Sequence, residues 1–256
     1  MQQSHGSKSI KKASCAGCGC ILGIFGFVAG IIWLTVFTNV CARMMGEETY
    51  PIKGDPKSFD PVIAIAEIKK KIGKGAVLTG VDFSSVRSDG TLNLDADYSP
   101  PPTANYTFQL PLDKAPDGKT APPIGAGRGP DDIWVEPITV KVYHPGDRRH
   151  VTRVSGNSRS SYTYTNEGMD VDRSTAYMQK LRADISNLKV TPKQMWDVAK
   201  KLGANDQAVA TIRISESGYD FDITGTGIDL RWDKDGKLET SYLKDEQKAK
   251  LGIKED

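Results

Sequence analysis

Residues Ile21 to Ala42 (ILGIFGFVAGIIWLTVFTNVCA) form an unbroken run of 22 residues without a single charge, and no other stretch of this chain resembles it. A helix rising ~1.5 Å per residue over that length crosses a hydrocarbon core of ~30 Å with slight tilt. Lys8, Lys11 and Lys12 precede the run with no acidic residue among them, whereas Arg43 is soon followed by Glu47 and Glu48. The positive-inside bias then predicts a cytoplasmic tail over 1–19, a transmembrane helix over 20–42 and export of everything beyond Arg43. The implied localisation is the cell membrane, single-pass through a signal-anchor, with an extracytoplasmic C-terminal region. A cleaved signal peptide ending at Val40-Cys41-Ala42 is the rival, against which the length of the run counts, since signal h-regions span ~7–15 residues. A lipoprotein Cys41 fits less well, because Val40 stands where a small residue is wanted. Gly19, Gly23, Gly26 and Gly30 make two small-xxx-small pairs, which suit association of such helices into a homo-oligomer. Glycine is also simply frequent in membrane helices.

The chain holds 34 basic and 32 acidic residues. Three of the bases lie before residue 43, which leaves 31 against 32 in the exported part. That near-neutrality excludes nucleic acid as a partner for the whole domain. Cys15, Cys18, Cys20 and Cys41 all lie at or beside the apolar run, so the rest must fold without disulfides. Cys15-Ala-Gly-Cys18 has the spacing of a metal or redox pair, but it lacks a second pair of ligands. Reversible acylation or a plain small-residue approach to the bilayer are the other readings.

Residues 43–59 read as a linker. Asp60-Pro61 then starts a helix, with Val62, Ile65, Ile68 and Ile72 spaced by three and four until Gly73. Three alternating strands follow, over Val77 to Phe83, Leu92 to Tyr98 and Tyr106 to Leu110. The same order returns later. Thr191-Pro192 opens a helix with Met195, Trp196, Ala199 and Leu202 on its apolar face, and strands follow at Ala208–Ile214, Tyr219–Ile223 and Ile228–Trp232. Pro61 and Pro192 lie 131 residues apart with similar offsets after them, so the pattern predicts an α+β fold of two tandem units. Each unit is one helix plus a three-stranded antiparallel meander, over 60–145 and 191–256. The connecting segment 146–190 carries a helix from Ser174, with Met178, Leu181, Ile185 and Leu188 on its stripe.

The stretch Thr191 to Glu239, with its capped helix, three short strands and DKDGKL turn, resembles a PepSY-type module. It is also similar to the halves of the beta-lactamase-inhibitor-like fold, and residues 60–110 share the likeness more loosely. The resemblance implies an extracytoplasmic α+β module that binds, inhibits or chaperones a protein. It carries over no catalytic residue.

Catalytic signals are sparse. Gly125-Ala-Gly127-Arg-Gly129-Pro lacks the strand before and helix after that a phosphate loop needs, and reads as a linker. Asp233-Lys-Asp235-Gly236 lacks the remaining acids of a calcium loop and reads as a hairpin turn. Asp170/Asp172 and Asp220/Asp222 share strand faces opposite the apolar alternation, where no burial raises a carboxyl pKa. No cofactor or metal is expected. The segment Lys141 to Ser160 is the strongest functional candidate. It sets Lys141, Arg148, Arg149, Arg153 and Arg159 against Asp147 alone, with Tyr162 and Tyr164 just beyond. Arginine forks bind anionic groups and aromatic rings supply contact area, so these residues predict a partner- or anion-binding surface. The plainer reading is a solvated hairpin. The function expected is a membrane-anchored binding or assembly module for another envelope protein. The alternative is a tethered enzyme acting on an envelope glycan or lipid.

Overall fold

Period-two alternation builds the strands that dominate the regular structure of the described residues. The computed structural model describes residues 48–125, 128–155 and 158–253. In order they form β1 (Glu48–Pro51), α1 (Ile63–Ile72), β2 (Val77–Val86), β3 (Thr103–Pro111), β4 (Asp132–Val142), β5 (Arg148–Ser155) and β6 (Ser158–Thr165). Next come β7 (Gly168–Arg173), β8 (Tyr177–Lys180), α2 (Pro192–Lys201), β9 (Ala210–Ser215), β10 (Gly218–Ile223), β11 (Ile228–Asp233) and α3 (Asp245–Lys250). Nine strands make one sheet in the order β1-β7-β4-β3-β2-β9-β10-β11, with β8 pairing the first half of β4. Each neighbouring pair is antiparallel. β5 and β6 form a separate two-stranded arm between β4 and β7.

Registry places successive residues on opposite faces. One apolar row crosses eight strands as Tyr50, Met169, Val142, Ala104, Phe83, Ile212, Phe221 and Leu230. A second row crosses seven as Val171, Val140, Tyr106, Val81, Ile214, Tyr219 and Trp232. The two ten-residue helices pack onto this face and share its core, α1 through Ile65, Ile68 and Ile72 and α2 through Met195, Trp196 and Ala199. Trp196 meets Phe221 edge-on with ring centres 5.4 Å apart. Tyr106 is fully buried and its hydroxyl donates to the Pro61 carbonyl at 2.7 Å, tying β3 to the start of α1. That burial, with Asp60 nearby, pushes the phenol well above its ordinary pKa.

The helix starts follow from their caps. Thr191 and Gln194 form a reciprocal capping box ahead of Pro192. Asp60 accepts from the backbone N–H groups of Val62 and Ile63 at 2.8 and 3.0 Å. The Asp233–Gly236 stretch is a turn, as its acids' spacing suggests, with the Asp233 carboxylate accepting from the Asp235 and Lys237 N–H groups.

Several expectations are corrected. The fold is not two tandem helix-plus-meander units; it is one large antiparallel sheet with few helices. β2 pairs directly with β9, which fuses the two halves, and β1, β7 and β8 extend the sheet beyond any repeat. The strand expected over Leu92 to Tyr98 is an irregular loop. Asn93 turns the chain through its side chain and carbonyl, while Leu92 joins the core by bridging to Phe59 and Val86. The helix expected from Ser174 is replaced by β8 and a strap to α2. Met178 pairs with Trp134, because strand pairing satisfies the edge of β4 where a helix would leave it bare.

The run 20–42 lies outside the described residues, as do the four cysteines and Gly19, Gly23, Gly26 and Gly30. Among the described residues no helix is long and apolar enough to cross a membrane. The longest have ten residues, which span only ~15 Å. The single-pass, signal-anchor, cell-membrane placement is corrected accordingly: no described element carries it.

Candidate functional site

One residue out of register with the apolar rows, a polar row crosses the opposite face. It runs Thr49, Asp170, Lys141, Asn105, Asp82, Arg213, Asp220 and Arg231, each directly opposite the next on neighbouring strands. Thr49 is buried, but from Lys141 to Arg231 every member is exposed or half-exposed. Charges alternate along it. Arg213 reaches Asp82 at 3.3 Å and Arg231 reaches Asp220 at 3.5 Å. Such exposed pairs contribute little to stability, so the row shapes a surface more than it holds the sheet together. Asp222 and Asp229 lie opposite each other in the next row, both exposed.

At the β4 end the face gains walls. Lys141 and Asn105, side by side on β4 and β3, line a pocket of about 610 Å³. Beyond them stand the 94–103 loop, with Asp95 and Asp97, and the turn after β4, with Tyr143, His144, Asp147 and Arg149. The loop is pinned from below. Buried Ser85, whose φ of +61° is the one left-handed value of a non-glycine residue among those described, donates its hydroxyl to the Pro100 carbonyl at 2.6 Å. The turn is pinned by Asn166, only 2% exposed. Its amide nitrogen donates to the carbonyls of His144 and Asp147, and its amide oxygen accepts from the Gly168 N–H at 2.7 Å. His144 Nδ1 lies 3.0 Å from Asp95 Oδ1 and so links turn to loop.

The basic segment divides within this frame. Arg149 is exposed and lays its guanidinium 4.5 Å over the buried Tyr143 ring. Arg148 is exposed on β5 but is not among the pocket's residues. Tyr164 is buried at the base of the arm and donates its hydroxyl to the Asp170 carboxylate. Arg153 lies on β5, and Arg159 and Tyr162 on β6, with their side chains outside those described. The structure thus brings Lys141, Arg149 and Tyr143 together and sets Tyr164 into the foundation.

Lys141 and Arg149 have no carboxylate partner among the described residues, and neither do Asp97 and Asp147 have a cation. Of the carboxylates between 141 and 172, Asp147 and Asp172 are exposed and Glu167 and Asp170 half-buried. Among the described residues no three His, Cys, Asp or Glu side chains are placed to hold a metal ion. Comparison with protein-family models, curated proteins and solved structures finds no match. Asn105, Asn166 and the His144–Asp95 pair escaped sequence reasoning. Asn105 lies just ahead of the strand expected over Tyr106 to Leu110, and β3 in fact begins at Thr103; the other two are defined only by long-range contact.

Proposed function

We propose that this protein is a binding module that docks another protein on the open face of its sheet. One observation carries the reading: the polar row stays exposed across six strands, β4 to β11, while the other face of the same strands is built into the core. Six strands ~4.8 Å apart, with about six residues each at ~3.3 Å, give a platform of roughly 24 by 20 Å. With the walls of the pocket added, that suits a transient contact rather than an obligate one, which buries more than ~2,000 Å² in total. A mixed-charge surface fits the same class, because non-obligate interfaces are about as polar as ordinary protein surface. The likeness of Thr191–Glu239 to PepSY-type modules, which bind or chaperone proteins, points the same way.

Photo-crosslinking in the native cell tests it. A photoreactive residue at Thr107 or Asp220, both on the open face, is expected to form an adduct with another polypeptide. The same residue at Lys70, exposed on α1, is expected to form none. Adducts from Lys70 alone, or from no position, overturn the reading.

A further inference from the structure

We propose that the Lys141–Arg149 pocket takes the carboxylate of a mixed-charge peptide segment, an Asp or Glu with a Lys or Arg beside it, presented by the protein partner. This rests on the open-face reading and names what one end of that face recognises. Along the polar row each arginine is answered by an aspartate, Arg213 by Asp82 and Arg231 by Asp220. Lys141 is the exception. It is exposed, projects from the floor strand β4, and has no ion pair among the described residues. Arg149 lines the same pocket and is likewise without a carboxylate, its guanidinium held flat against Tyr143. A guanidinium fixed by stacking loses less freedom on binding an anion than one free in solvent.

The carboxylates decide what kind of anion fits. Asp95 is taken by His144, but Asp97 and Asp147, on the two loops flanking the floor, are exposed and unpaired among the described residues. With Asp95 counted, three carboxylates stand against two cations, so the pocket carries no net positive charge. A dense anion such as a phosphate dianion meets repulsion from both loops, whereas a single carboxylate on the floor with a cation beside it satisfies all four groups. The pocket, at about 610 Å³, is large enough for two adjacent side chains and their backbone.

The test is fluorescence anisotropy of a labelled acetyl-Glu-Lys-Glu-Lys-amide peptide titrated with the full-length protein. Binding is expected to weaken roughly threefold or more in Lys141→Gln and in Arg149→Gln, as removal of one exposed ion pair implies. Lys141→Arg is expected to keep affinity, and Lys74→Gln, exposed and far along the chain, to leave it unchanged. An acetyl-Gln-Gln-Gln-Gln-amide peptide is expected not to compete. Unchanged affinity in both Gln variants overturns the proposal. So does inorganic phosphate competing as well as the peptide, or capture of the protein on phosphatidylserine vesicles in a Lys141-dependent way. Crosslinks from Thr107 or Asp220 that form while the wild-type protein fails to bind the peptide sink the pocket and leave the open-face reading standing. Loss of crosslinks from every open-face position sinks both.

Discussion

Asp82 and Phe83 are neighbours on β2, yet Phe83 is wholly buried under the helices and Asp82 faces outward to Arg213. The same division holds on the six neighbouring strands β4, β3, β2, β9, β10 and β11. One face is filled with Ile, Val, Phe, Tyr and Trp; the other presents Lys141, Asn105, Asp82, Arg213, Asp220 and Arg231. A single-residue shift in register would exchange the two sets, so the alternation that secures the fold also fixes which side chains are offered to a partner. The difference assigns stability to one face and recognition to the other.

Substitutions on the two faces should therefore separate cleanly. The largest loss is expected at Trp196, fully buried against Phe221: Trp196→Ala should cost about 3–5 kcal/mol in urea unfolding. Trp196→Phe should cost clearly less, because the indole N–H has no hydrogen-bond partner among the described residues and only volume is given up. Gly218→Ala comes next, at about 2–3 kcal/mol in the same assay. Gly218, the first residue of β10, has φ of +144°, and an added Cβ would stand 2.3 Å from the Trp232 carbonyl oxygen.

A smaller, pH-dependent effect is expected at Asp184, on the strap between β8 and α2. Partial burial alone raises its pKa, but hydrogen bonds from Lys69 and Ser186 outweigh that and hold the carboxyl below the ordinary aspartate value. A depressed carboxyl stabilises the fold above the unfolded-state pKa of about 3.9, and that contribution fades as pH falls through the lower folded value. Asp184→Asn should therefore cost about 1 kcal/mol at pH 7, with solvent screening limiting it. Thermal melts of variant and wild type should converge as the pH drops below roughly 4.

How much of this was legible depended on whether local signals agreed with distant ones. Around α2 they agreed: Thr191 capped, Pro192 opened, Trp196 and its stripe faced the core, and the three strands after it alternated as they pair. At Leu92–Tyr98 they conflicted. The apolar alternation was present, but the interleaved Asn93, Asp95 and Asp97 favour turns, and Leu92 and Leu94 reach the core from a loop. Met178 and Leu181 had helical spacing, yet the bare first half of β4 claimed Tyr177–Lys180 as a strand. The pairing of β2 with β9 joins residues some 130 positions apart, and no local pattern announces it. The site divides in the same way. Lys141 and Arg149 stood out as charge in a basic segment, but the row that makes Lys141 the odd cation exists only once eight strands are in register.

The division of labour between the faces is tested most directly by one triple variant, Asp82→Asn with Arg213→Gln and Arg231→Gln, measured for both unfolding midpoint and crosslink yield from Thr107. The expected result is a stability within about 0.5 kcal/mol of wild type, since these pairs are exposed, together with loss of most of the adduct. A clearly lowered midpoint with the adduct intact would contradict the account, for it would make the open face part of the scaffold and not the surface that binds.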